Sequence, residues 1–319
     1  MVIPLLQCLY NPEQPFPAAG WDYEAILRDI ELFSIGSQMY HLLKASGRIE
    51  QVPEFFGSRL KARHARATYH NLFMKHKEQE MLALFERHGL EAIPLKGIRF
   101  AEAYFGHFAA RVTSDIDLFV RADRLDEAIA CLESHGYDYE ITKDHHARLH
   151  KDGLMAELHW TLDKREWSNL HTEPFWSSAV PLGDFRYVKQ LSPLHTFYFI
   201  CLHGARHQMD SVRYLIDIVQ ILHAKGGSID YKQLVEQTTV DKTSRRIQAV
   251  LSIVYRQFPH LQAIKPLPFD TLETHWDYEM VRSARMGAKT KQYYLYKLFF
   301  RHFIFDTWKH QMKSIRKAY

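Results

Sequence analysis

Residues 91–120 constrain this chain more than any other stretch: they read EAIPLKGIRFAEAYFGHFAARVTSDIDLFV. A short apolar run is closed by Lys96 and Gly97, a helical segment IRFAEAYF follows, and the stretch ends in the strand-like DIDLFV. Strand geometry sends alternate side chains to opposite faces, so Asp115 and Asp117 share one face while Ile116 and Leu118 share the other. At about 4 Å two like charges repel by roughly 4 kcal/mol in a partly buried setting and only about 1 kcal/mol in water. Either the carboxylate pair is fully solvated, or something positive sits between its members.

The surrounding pattern is α+β. From Trp21 to about Leu90 apolar residues recur at three and four, and His88-Gly89 is a stop signal. After the Asp strand comes an amphipathic helix, RLDEAIACLESHG, closed by Gly136. Two alternating strands, YDYEIT and LMAELHWTL, flank a polar connection that ends in the turn Lys151 to Gly153. The stretch from Ser192-Pro193 to Gly226-Gly227 reads as one long helix, and the remainder as helices broken by FPHLQAIKPLPF. The expected architecture is a small mixed sheet with flanking helices, set between two helical regions. Its expected boundaries are 1–90, 91–190 and 191–319.

Composition excludes several classes. A chain of 319 residues with 46% hydrophobic content has ample material for a core, and a net charge of +4 carries no nucleic-acid assignment by itself. Cys8, Cys131 and Cys201 are odd in number and widely spaced, which argues against a disulfide framework and for a reducing cytoplasm. The opening MVIPLLQCLY lacks a basic leader and a cleavage site, and no uncharged run reaches the roughly 20 residues of a membrane span, so neither export nor a membrane helix is expected.

A third acid lies on a strand of its own. Glu157 in LMAELHW can project toward the Asp pair, with His159 on the same face, where a structural histidine is the default reading. Converging carboxylates need cations, and hard divalent ions prefer carboxylate oxygen. Along the expected long helix, His203, Arg206, His207, Asp210, Arg213 and Asp217 fall within an arc of roughly 120°. Asp217, set in YLIDIVQIL, needs a buried partner. The trio His145, His146 and His150 has no cysteine nearby, so zinc is not expected there. The basic helix from Arg59 to Lys77 reads as a solvated face or an acceptor surface. The basic, aromatic tail reads as docked on the body or on a second subunit, which leaves a homodimer open.

The order PLKG, short helix, SDIDLFV and AELHW resembles the bacterial nucleotidyltransferase family within the polymerase-β-like superfamily, over roughly residues 60 to 225. The resemblance implies transfer of a nucleoside monophosphate from a nucleoside triphosphate to a hydroxyl or phosphate acceptor, with pyrophosphate released. Two Mg²⁺ or Mn²⁺ ions would be held by Asp115, Asp117 and Glu157, the last also helping to activate the acceptor. Gly97 matches the turn that closes over the triphosphate. The wider superfamily carries Gly-Ser or Gly-Gly there, and Lys96 would replace the lost hydroxyl contact by charge. Arg111 would be a second phosphate contact, and Arg206, His207 and Arg213 would touch phosphate or base. Small-molecule, peptide or protein acceptors are implied rather than nucleic acid. The alternative is a nucleotide-binding or partner-binding module on the same fold without turnover.

Overall fold

The computed structural model describes residues 1–16, 20–142 and 145–316, so Lys143 and Asp144 of the polar connection and the last three residues of the tail lie outside the described part. The N-terminal helices are α1 (Val2–Tyr10), α2 (Tyr23–Leu32), α3 (Gly36–Ala45) and α4 (Glu54–Arg87). The opening apolar decamer is α1, with Val2, Leu5 and Leu6 fully buried. Asp22 caps α2 by accepting from the Ala25 amide at 2.9 Å. In α4, Phe56, Leu60, Ala67, Asn71, Met74, Glu78, Met81 and Phe85 recur at three, four or seven, which turns one stripe of this long helix inward.

The sheet follows. Strand β1 (Ala92–Pro94) leads through Gly97 into α5 (Ile98–Phe100), which continues as a π-helical turn over Ala101–Phe105. Then come β2 (Ile116–Val120), α6 (Leu125–Glu133), β3 (Asp138–Thr142), β4 (His146–Lys151) and β5 (Leu154–His159). The spatial order is β1-β2-β5-β4-β3, with β2 and β5 parallel and the other neighbours antiparallel. The mixed sheet with flanking helices expected from the sequence is therefore present. Two local expectations are corrected. The polar connection after YDYEIT contains the strand β4, and β2 begins at Ile116, so Asp115 stands at its mouth rather than inside it.

After β5 come α7 (Glu173–Ser177), a two-stranded ribbon, and α8 (Pro193–Arg206) with α9 (Val212–Lys225). The expected single helix over 193–225 is thus broken. Gln208 and Met209 take left-handed conformations (φ 57 and 46), and the Ser211 hydroxyl caps α9. The break takes Asp210 out of the expected stripe, to face Arg285 and Lys297 at 3.8 and 3.6 Å, while His203, Arg206, His207 and Arg213 still line one cavity. Helices α10 (Tyr231–Asp241) and α11 (Ser244–Gln257) precede the C-terminal helices, where Tyr296, Phe300 and Ile304 are buried against the body.

Two apolar layers fix the sheet's orientation. Ile116, Leu118, Ala147, Leu149, Ala156 and Leu158 pack against α4 and α6. Ile93, Leu95 and Phe119 belong to the larger layer that includes α1 to α3, α8, α9 and α11. The second, polar face of β2, β5 and β4 is thereby aimed at the ends of α8 and α9. Among the described residues, no helix is long and apolar enough to cross a membrane.

Candidate active site

Asp117 on β2 and Glu157 on β5 are direct register partners in the parallel pair, which sets their carboxylates side by side on the face turned to α8. Asp115 joins them from the residue before β2. The cation that this arrangement requires is Lys96: its Nζ lies 2.8 Å from Asp117 Oδ2 and 3.3 Å from both oxygens of Asp115. Burial pushes the Asp117 carboxyl up, but Lys96 and the hydrogen bond from His159 outweigh it and hold the group well below the usual carboxylate range. Reciprocally, Asp117 and Asp115 raise the Lys96 ammonium above its ordinary value against the opposing effect of burial.

The backbone that aims Lys96 depends on glycine. Gly97 has φ +76, and a Cβ there would stand 3.0 Å from Thr113 Cγ2, so a side chain is excluded by conformation and by space. The Leu95 amide donates to the Asp117 carbonyl at 3.0 Å, which ties the turn to β2.

On the far side of Asp117 the histidines begin. His159 Nε2 lies 3.0 Å from Asp117 Oδ1 and 3.6 Å from Glu157 Oε2. Glu157 Oε1 accepts from Arg148 Nη2 at 3.0 Å and has His146 Nε2 at 3.5 Å. Burial holds the His145 imidazole down to about 2, with Arg206 adding to the effect, so that ring is neutral at ordinary pH.

The guanidinium groups come from the other wall. Arg111 Nε donates to both oxygens of Asp217 at 2.9 and 3.0 Å, which supplies the partner that Asp217 needs and commits much of Arg111 to it. Arg213 reaches the Val112 carbonyl, and burial together with the charge of Arg111 pushes it down to about 10. Arg206 has one long contact, to the Leu162 carbonyl at 3.4 Å, and its Nε has no hydrogen-bond partner among the described residues. His207 stacks on Tyr214 with centroids 5.4 Å apart and an interplanar angle of 13°.

Lys96, Gly97, Arg111, Asp115, Asp117, Glu157, Arg206, His207 and Arg213 all line one cavity of about 520 Å³, a size that suits a nucleotide. Lys164 and Trp167, which the sequence does not single out, line it too, and so do His145 and His146, which it marks only as part of a trio where zinc is not expected. Their signal lies in HHARLHK, where Ala147 and Leu149 alternate with the polar residues of a strand. A second cavity of about 310 Å³ shares Lys164, Trp167 and Arg206 with the first and adds Arg246 and Arg301.

The chain matches none of the curated proteins and none of the solved structures compared with it. The model of a family of uncharacterised nucleotidyltransferases matches residues 22–259, from the start of α2 to just beyond α11 with the whole sheet inside, and the chain belongs to that family.

Proposed function

We propose that the protein is a metal-dependent nucleotidyltransferase that moves a nucleoside monophosphate from a nucleoside triphosphate to a hydroxyl or phosphate of a small-molecule, peptide or protein acceptor. The observation that carries this reading is the register pairing of Asp117 with Glu157 beside Asp115, inside a cavity walled by Lys96, Arg206 and Arg213. Donor atoms of Asp117, Glu157 and His159 lie within 4.8 Å of one another, close enough to hold a divalent cation, and the acids offer the oxygen ligands that Mg²⁺ and Mn²⁺ take. Bound there, such ions would neutralise charge that develops on the reacting phosphate.

The chain's own groups supply the rest. Lys96, now paired with Asp115 and Asp117, would turn its charge to oxygens of the triphosphate once divalent cations were held by the acids. Arg213 and Arg206 face the same cavity and balance the remaining phosphate charge. The flat His207–Tyr214 stack forms a wall for the base. The acceptor oxygen attacks the α-phosphorus, the bond to the bridging oxygen breaks, pyrophosphate leaves with that electron pair, and Glu157 receives the acceptor's proton. Arg148 orients Glu157 beforehand, its Nη2 donating to Oε1 at 3.0 Å.

Labelled nucleoside triphosphates with Mg²⁺ or Mn²⁺ and a panel of acceptors test the reading. Transfer with equimolar pyrophosphate, lost in Asp117→Ala, is the expected result; undiminished transfer in that variant overturns the assignment. A second reading, nucleotide binding without turnover, draws on Lys96 already standing between the two aspartates as a built-in cation. Calorimetric nucleotide binding with no pyrophosphate release across the panel would favour it.

A further inference from the structure

His145, His146 and His150, at which no zinc is expected, do not converge: His150 turns to Glu140 at 2.5 Å. A different set does. We propose that His146, His159, Glu157 and Asp117 form a binding site for one nitrogen-ligated divalent ion of the Co²⁺ or Zn²⁺ class, on the side of Asp117 away from Asp115. The ion's part in catalysis rests on the nucleotidyltransferase reading, whereas the site itself does not.

The strands build this set. His146 and His159 are register partners across the antiparallel β4–β5 pair, so their rings stand side by side on the cavity face, with centroids 5.4 Å apart. Both Nε2 atoms point at Glu157, at 3.5 and 3.6 Å, and His159 Nε2 is 3.0 Å from Asp117 Oδ1. Donors that share one ion at bond lengths of about 2.0–2.2 Å stand roughly 3.0–3.6 Å from one another. These three spacings, the two at Glu157 being to Oε1 for His146 and Oε2 for His159, fall in that range. The outer partner is in place as well: His146 Nδ1 lies 3.2 Å from His145 Nε2, which orients the ring from behind. His145, His146 and His159 are 7%, 7% and 4% exposed, and His159 Nδ1 has no hydrogen-bond partner among the described residues.

The donor chemistry selects the ion. Mg²⁺ favours an all-oxygen shell, whereas two imidazoles with two carboxylates favour the later divalent ions of the transition series. Lys96, on the opposite side of Asp117, occupies the position between Asp115 and Asp117. On the histidine side the resident cation is Arg148, whose Nη2 lies 3.0 Å from Glu157 Oε1 and would yield that oxygen to the ion.

The test uses the full chain, stripped with a chelator and titrated with Co²⁺ alone, read by its visible ligand-field absorption and by metal content. One Co²⁺ per chain with nitrogen-ligand bands is expected, undisplaced by a large excess of Mg²⁺. His146→Gln and His159→Gln should each weaken binding by roughly 100-fold or more, whereas Asp115→Asn should leave the bands intact. Thermal melting of the metal-free variants controls for folding, and a His145→Phe variant, which spares every ligand, should lower affinity by roughly 10-fold. Binding abolished by Asp115→Asn and unaffected by the histidine changes would overturn the proposal, as would ready displacement by Mg²⁺. Because no nucleotide or acceptor is present, a failure to find transferase activity leaves this result standing.

Discussion

Arg111 and Asp217 form a buried ion pair with a bifurcated hydrogen bond: Nε of Arg111, on the loop that enters β2, is shared between both carboxylate oxygens of Asp217 on α9, and the two side chains are 5% and 2% exposed. The pair clamps the Asp strand to the helix that carries Arg213. Removing one partner leaves a buried charge uncompensated, which costs about 3–5 kcal/mol. Arg111→Met should therefore lower unfolding stability by that amount in urea. An arginine that served only as a phosphate contact would shift it by less than about 0.5 kcal/mol, so a change that small would count against the clamp.

Lys96 lends itself to a sharper test, because its charge is shared between two carboxylates. In Lys96→Met, Asp115 and Asp117 face each other without a cation, a repulsion of roughly 4 kcal/mol in a partly buried setting. The melting temperature of this variant should fall in the absence of divalent ions and rise on adding Mn²⁺ by more than the wild type does. Equal Mn²⁺ shifts in the two proteins would show that Lys96 is not the counter-ion of the pair.

Arg206 and Arg213 separate affinity from stability. Hydrogen bonds to charged groups contribute about 1.5–3 kcal/mol, or roughly 10- to 150-fold in affinity. Arg206→Ala should weaken binding of a nonhydrolysable triphosphate by that factor with little change in folding, since among the described residues its hydrogen bond is a long one to the Leu162 carbonyl. Arg213→Ala should weaken both, because its guanidinium also holds the Val112 carbonyl beside Arg111. Calorimetry and urea melts on the two variants check the split, and identical behaviour would contradict it.

The sequence made the order of elements and the three acids legible because those features are local: Gly97 marks a turn, and DIDLFV alternates within one strand. What it hid has a physical reason in each case. Strand β4 shows polar residues on one face because that face belongs to the cavity, so HARLHK has only Ala147 and Leu149 to reveal its period. The break between α8 and α9 rests on left-handed Gln208 and Met209, neither of which is a residue type that announces a turn. Arg111 reads as a second phosphate contact until α9 brings Asp217 to it from 106 positions away. Lys96 likewise shows its role only when Asp115 and Asp117 fold back onto it.

A pH dependence follows from His64 on α4. Its Nδ1 lies 2.9 Å from Ser37 Oγ, and because that hydroxyl donates to the Ala109 carbonyl at 2.5 Å, Nδ1–H is the donor. Burial first, then the neighbouring His107, His41 and Lys44, push His64 down to about 4. In the unfolded chain the ring protonates near its ordinary value of about 6.5. Between those two values the unfolded state binds more protons than the folded one, so stability that is complete above about pH 6.5 is lost as the pH falls through about 4. Substituting His64→Gln keeps a donor for Ser37 and removes the titration. Its melting temperature should track the wild type near pH 8 and fall less steeply between about pH 6.5 and pH 4. Parallel curves over that interval would mean that His64 is not one of the groups that make the fold acid-sensitive.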